Sequence, residues 1–296
     1  MMDFGLLKAV SRSFYLSMVW LPPAMRRGIA LGYMLARATD SVADTSSADT
    51  EKRVAVLQQM NRAIAGLASS EEKEELLAAL KGEMAAAQSK ESEATLLRRF
   101  GECLALLDGV SEPERCLLRR VLATIVEGQL WDLSYFAHRT GVENDAETRR
   151  YTYLVAGCVG EFWTDMGLAT MGTRFCDPER RELMVQAGIR YGQGLQLVNI
   201  LRDQAEDAAR GRAYLCSSPE LWHARAARYL YDGLDYARRL GLFRLRFTAM
   251  LPALLGLRTL RLITESPAGK RVKISRWSVY ASLLHAAWLS AWKRAS

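Results

Sequence analysis

Asp40 and Asp44 stand four residues apart in the segment Ile29–Asp44, whose only other charge is Arg37. On a helix that spacing puts both carboxylates on one face, with Arg37 a turn earlier and Tyr33 a turn before that. Like charges so placed repel, and Asp is a poor interior helix residue, so the pattern makes sense with a cation between the carboxylates. It recurs in Gln196–Asp207, where Asn199, Asp203 and Asp207 fall at i, i+4 and i+8, with Arg202 and Glu206 one position off the stripe. One Asp-x-x-x-Asp is usually a solvated helix face. Two copies, both in apolar surroundings and each beside an arginine, point to chemistry. Mg²⁺ favours a few carboxylates, several waters and phosphate oxygens. Asp40, Asp44, Asp203 and Asp207 are therefore expected to hold Mg²⁺ and, through it, stabilise a diphosphate leaving group.

The elements that must carry these residues read as helices throughout. Ala, Leu, Arg and Glu dominate, and apolar residues recur at three- and four-residue spacing. The pattern predicts ten helices, at about 22–45, 49–67, 70–88, 92–107, 112–137, 146–171, 178–209, 219–240, 242–265 and 273–293. Starts are marked by Pro22-Pro23, by the capping boxes Ser69-x-x-Glu72 and Ser111-x-x-Glu114, and by Asp177-Pro178 and Ser218-Pro219. The helices between 49 and 107 are charged and amphipathic, as outer helices are. Those at 22–45, 146–171 and 178–209 are apolar nearly all round and belong in the centre.

The 296 residues carry 40 Lys+Arg against 33 Asp+Glu, a formal charge of +7. That suits anionic ligands or membrane surfaces and does not call for nucleic acid. Five scattered cysteines without a CxxC pair, and three isolated histidines, argue against a disulfide framework or a zinc site and fit a reducing compartment. No secretory leader and no membrane span are expected, so the predicted location is cytoplasmic, with attachment at the inner membrane surface left open. No linker or repeat divides the chain. Asp40 and Asp203 lie 163 residues apart and would have to share one cleft, so the expectation is a single all-α domain spanning 1–296.

With those residues in view, the chain resembles the squalene/phytoene synthase family of head-to-head prenyl transferases. Ser11-Arg12-Ser13-Phe14 is similar to the family's opening motif. Tyr33-x-x-x-Arg37-x-x-Asp40-x-x-x-Asp44 and Gln196-x-x-Asn199-x-x-Arg202-Asp203-x-x-Glu206-Asp207 are similar to its two aspartate motifs. Tyr151–Gly157 and Gly211-Arg212-x-Tyr214 resemble the segments that precede and follow the second. The resemblance implies an isoprenoid-synthase-type helical bundle around a central cavity, and the union of two farnesyl diphosphates through presqualene diphosphate. It further implies catalytic roles for Tyr33, Arg37 and Tyr151, metal binding by the four aspartates, and substrate contacts from Arg12, Ser13, Phe14, Gln196, Asn199 and Arg212. Read without the resemblance, Tyr151 is either a π-face for a cation or a packed tyrosine with a satisfied hydroxyl. Ala156-Gly157 reads as a point of close helix approach.

The motifs do not choose among reduction by NADPH to squalene, deprotonation to dehydrosqualene or phytoene, and water capture to hydroxysqualene. Met250–Leu260 and the basic stretch Gly269–Arg276 resemble squalene synthases, which favours squalene, with NADPH held by Asn199, Lys270, Arg271 and Lys273. An exposed basic turn or a membrane-facing patch is the other reading of those cations. A non-catalytic helical assembly factor with this fold is a third possibility, opposed by the intact aspartates. Trp277–Trp292 runs sixteen residues without a formal charge and ends at Lys293-Arg294. Its three tryptophans fit an interfacial helix in peripheral contact with lipid, or a closing helix of the bundle.

Overall fold

Regular apolar spacing winds the chain into helix almost everywhere. The computed structural model describes residues 3–11, 14–45, 47–267 and 271–291, and among them there is no β-strand. In chain order the helices are α1 (Phe4–Ser11), α2 (Phe14–Trp20), α3 (Pro23–Ala43), α4 (Thr50–Ala65), α5 (Ser70–Ala79), α6 (Glu91–Arg98) and α7 (Phe100–Asp108). There follow α8 (Glu112–Tyr135), α9 (Asp145–Thr152), α10 (Cys158–Met171), α11 (Arg181–Ala209), α12 (Pro219–Arg238), α13 (Phe243–Glu265) and α14 (Arg276–Ala291).

Several starts fall where the sequence puts them. Ser69 and Glu72 exchange bonds in a complete capping box, Glu72 N–H to Ser69 Oγ at 3.1 Å and Ser69 N–H to Glu72 Oε2 at 2.6 Å. Asp177 accepts the Glu179 N–H at 3.1 Å and opens the Pro178–Arg180 turn ahead of α11. Two features depart from the prediction. Residues before Pro22 form α1 and α2; Asp3 Oδ1 caps the first, accepting from the N–H groups of Gly5 and Leu6 at 2.8 and 3.0 Å. The helix predicted over 92–107 breaks at Arg99, whose guanidinium turns to bind both Asp3 and Glu102.

The chain folds as two compact units, one of residues up to 19 plus 23–137, the other of residues 20–22 and from 138 onward. In the first unit α3 packs against α1, α4, α6, α7 and α8, and buries Met25, Leu31 and Leu35 completely. In the second, α11 is central, packed against α10, α12 and α13. Glycines allow the closest of these approaches. A Cβ on Gly192 would stand 2.2 Å from the Ala156 carbonyl oxygen, and one on Gly160 1.9 Å from that of Gly188. The tight approach near Ala156-Gly157 is thus real, but Gly160, Gly188 and Gly192 permit it. α13 is long and apolar enough to cross a membrane by composition, yet 56% of its most apolar stretch is buried in the protein.

Candidate functional site

The first aspartate motif is held by four other helices of its own unit, α1, α2, α6 and α8. Tyr33 on α3 donates its hydroxyl to the Val10 carbonyl at 3.2 Å and stacks on Phe14 with ring centroids 6.2 Å apart. One turn on, Arg37 donates to Glu93 of α6 at 2.5 Å, and Lys90 holds the same carboxylate oxygen at 2.9 Å. Burial alone would raise the Glu93 carboxyl, but the bonds from Lys90 and Arg37 bring it below its ordinary value. A further turn on, Asp40 accepts a 2.5 Å bond from Gln129 Nε2 of α8, which also donates to Thr39 at 3.1 Å.

Asp40 titrates far from a solvated aspartate. Burial first, and then the neighbouring charge of Asp44, push its carboxyl up to about 6, against the opposing pull of Arg37 and the Gln129 bond. Asp44, one turn on, is exposed. Arg37 Nε and Gln129 Oε1 are buried without a hydrogen-bond partner among the described residues. A half-buried carboxyl of suppressed charge, a second carboxylate one turn on, a nearby cation and orphaned polar atoms form a set that suits Mg²⁺ carrying phosphate oxygens.

The second motif lies on the last turns of α11. Arg202 binds the carboxylate of its neighbour Asp203 in a fork, at 3.0 and 2.5 Å. Arg271 approaches the same residue, Nε to Oδ1 at 3.0 Å, and reaches Glu206 at 2.9 Å. Asp207 again has its carboxyl pushed up to about 6, by burial and then by the charge of Asp203. Asn199 and Gln196 pair at 3.4 Å one turn before the aspartates.

Behind this stripe the Gly211–Tyr214 segment is pinned by a short parallel bridge, Ala213 N–H to the Thr140 carbonyl and Val142 N–H to the Ala213 carbonyl, both at 2.9 Å. Thr148 donates to the Tyr214 carbonyl at 2.7 Å, and the Tyr214 ring stacks on Tyr151 at 4.7 Å and 15°. Tyr151 is followed by a π-helical turn, Tyr153–Gly157, a distortion that recurs at functional sites. A cleft of about 190 Å³ opens between Asp207, Arg212, Tyr214, Gln204 and Ile200. A second, of about 320 Å³, shares Gln204 with it and includes Asp203, Glu206 and Arg271. Each has the size of a phosphate group with its waters and is too small for two prenyl chains.

Arg12, Ser13 and Lys270 lie outside the described residues. Phe14 stands on α2, Arg212 beside Asp207, and Lys273 is exposed. Sequence reasoning did not pick out Glu93 and Gln129. Both come from other helices, and nothing in the spacing of α6 or α8 marks them as partners of α3. Among the described residues no group of three or more acidic, His or Cys side chains gathers in one place; each motif supplies a pair.

An all-α chain with two acidic helix motifs, each next to arginine, is built like an isoprenoid synthase. The Squalene/phytoene synthase family matches residues 7–218, and the chain belongs to that family. Among its relatives, a bifunctional lycopene cyclase/phytoene synthase of Phaeosphaeria nodorum is 27% identical over 71% of this chain and 32% of its own length. A squalene synthase of Eremothecium gossypii is 25% identical over 74% of this chain and 46% of its own. The chain thus spans about a third to a half of these curated relatives. In fold it is similar to TcSQS solved with the ligand BPH1237, at a TM-score of 0.75 and 20% identity over 96% of this chain and 85% of that one.

Proposed function

We propose that this protein joins two farnesyl diphosphates head to head through presqualene diphosphate and then, with NADPH, reduces the intermediate to squalene. Membership of the squalene/phytoene synthase family supports the condensation. The observation that carries the reading is the pair of carboxylates in each of two apolar helices, one member of each pushed to about 6. A carboxyl that resists ionising alone gains most when a divalent cation arrives, so both motifs are poised for Mg²⁺.

Asp40 and Asp44 in one unit, and Asp203 and Asp207 in the other, would each hold Mg²⁺, which when bound neutralises diphosphate and makes it a better leaving group. Arg37, fixed by Glu93, offers its unpartnered Nε to a phosphate oxygen. Arg212 flanks Asp207 in the smaller cleft and serves as a second anion contact. Tyr33 and Tyr151 present aromatic faces that stabilise a developing allylic cation, and the Tyr214 stack keeps Tyr151 in plane. The buried apolar side chains of α3 and α11 exclude the water that would quench such a cation. Lys270, Arg271, Lys273 and Asn199 are the residues we assign to the reductant.

The phytoene synthase name among the relatives supports a second reading, in which the intermediate loses a proton instead and no reductant is needed. Incubation of the purified chain with farnesyl diphosphate and Mg²⁺, with and without NADPH, separates the two. Squalene formed only with NADPH is the expected product. A conjugated triene or an alcohol regardless of NADPH would transfer the assignment to the reductant-independent class, and no turnover of farnesyl or geranylgeranyl diphosphate would favour a non-catalytic role.

A further inference from the structure

Helix α14 is packed inside out. The side it turns to the protein is small and polar: Ser282, Ala286 and Ser290, at i, i+4 and i+8, are each 0% exposed. They lie against α13, where Arg246 donates to the Ser290 carbonyl at 2.9 Å and Arg258 to that of Ser278 at 3.1 Å. Val279, Leu283 and Leu289 flank that side half-buried, while the four most exposed apolar side chains point the other way. Trp277 is 83% exposed, Tyr280 57%, Leu284 74% and Trp288 61%. At 3.6 residues per turn these four share one face, diametrically opposite the buried one.

A closing helix of a bundle would bury its tryptophans and show its serines. The opposite arrangement is stable here because small residues let α14 sit close on α13 and because Ser275 Oγ caps its start, accepting from the Ser278 N–H at 3.1 Å. The aromatic row is therefore presented by a helix whose orientation is fixed by its other side. It is a contiguous apolar face on an ordered element, which marks an interaction surface.

Charge says what covers it. From residue 266 to 296 the chain has no Asp or Glu and six Lys or Arg. Arg276, which is not among the cations assigned to the reductant, stands exposed at the start of the helix and makes no ion pair among the described residues. Two copies meeting through this face would bring like charges against each other. A sheet of anionic headgroups above hydrocarbon satisfies both halves of the pattern, cations at the phosphates and tryptophans at the polar–apolar boundary.

We propose that the Trp277–Tyr280–Leu284–Trp288 face of α14 docks the protein in the plane of a bilayer rich in anionic lipid, without crossing it. The contact holds whichever prenyl product is made, so its failure and the failure of the catalytic reading are separate results.

The test is sedimentation of the full chain with vesicles of phosphatidylglycerol or of phosphatidylcholine, alongside a variant carrying Trp277→Ser, Leu284→Gln and Trp288→Ser. These side chains are exposed, so circular dichroism and thermal melting should match between the two proteins. Wild type should bind phosphatidylglycerol, less so as salt rises, and phosphatidylcholine weakly. The variant should lose more than about tenfold in partition, because three large apolar side chains no longer enter the interface. Absence of binding to phosphatidylglycerol, or equal binding by variant and wild type, overturns the proposal. So does self-association of wild type without lipid that the variant abolishes, which would give the face to a second copy.

Discussion

The Nε of Arg271 lies 3.0 Å from Oδ1 of Asp203, so a cation of the chain itself rests on the second aspartate motif. The same guanidinium reaches Glu206, and Arg202 holds the other side of Asp203. A metal arriving at Asp203 has to compete with these arginines. Arg271→Gln should therefore bind Mg²⁺ more tightly. The Arg271 side chain is 62% exposed, which keeps the pair in the weak, solvent-screened class, so the gain should be only about two- to fivefold. Calorimetric titration with Mg²⁺ measures it; a weaker affinity in the variant would show that Arg271 assists the metal.

Removing a metal carboxylate should be far more costly. Asp40→Ala or Asp203→Ala should lower turnover of farnesyl diphosphate by about a thousandfold or more, since the metal contributes several kcal/mol to the departure of diphosphate. Far-UV circular dichroism should show both variants as helical as wild type. Retained activity in either one would remove that motif from the reaction.

The raised carboxyl of Asp40 makes a prediction about pH. In the folded chain it holds its proton up to about 6, whereas unfolded it releases it near 3.8. The folded state thus binds more protons between those values, and stability falls as pH rises through that window. Without Mg²⁺, wild type should lose about 1–3 kcal/mol relative to Asp40→Asn on going from below pH 4 to above pH 6. Paired denaturant titrations across this range give the difference. Mg²⁺ should restore stability above pH 6, where the carboxylate is ionised.

Glu93 is 8% exposed and binds Arg37 and Lys90 together. Glu93→Ala leaves the Arg37 guanidinium without its carboxylate, and should destabilise the fold by about 2–4 kcal/mol in a denaturant melt. Glu93→Gln keeps one acceptor and should cost less. If Arg37 is held in place for a diphosphate, the Gln variant should also raise the KM for farnesyl diphosphate.

A methyl group where the Ala156 turn meets α11 tests the close approach. Gly192→Ala puts a Cβ about 2.2 Å from a backbone oxygen, which no side-chain rearrangement relieves. A loss of about 1–3 kcal/mol is expected from thermal unfolding. Gly211→Ala is a comparison of another kind: no atom crowds it, and its cost comes from a φ of +73°.

Much of this protein can be read along the chain. Helix content, the Ser69 and Asp177 caps and both Asp-x-x-x-Asp motifs depend on residues within a few positions of each other, and local spacing fixes which of them share a face. The α1 helix is written there too, in Asp3 followed by Leu6, Leu7 and Val10, although the predicted helices begin at Pro22. What tertiary structure decided is the company those faces keep. Glu93 and Gln129 reach Arg37 and Asp40 from α6 and α8, across 56 and 89 residues of sequence. Arg271 closes on Asp203 from beyond the end of α13. Most clearly, α14 reads as an aromatic helix in sequence, and only its packing on α13 determines which side stays out. Ser282, Ala286 and Ser290 fit that close contact and tryptophan does not. Amphipathic spacing gives a helix two sides, but the size of the gap it must fill decides which one is buried.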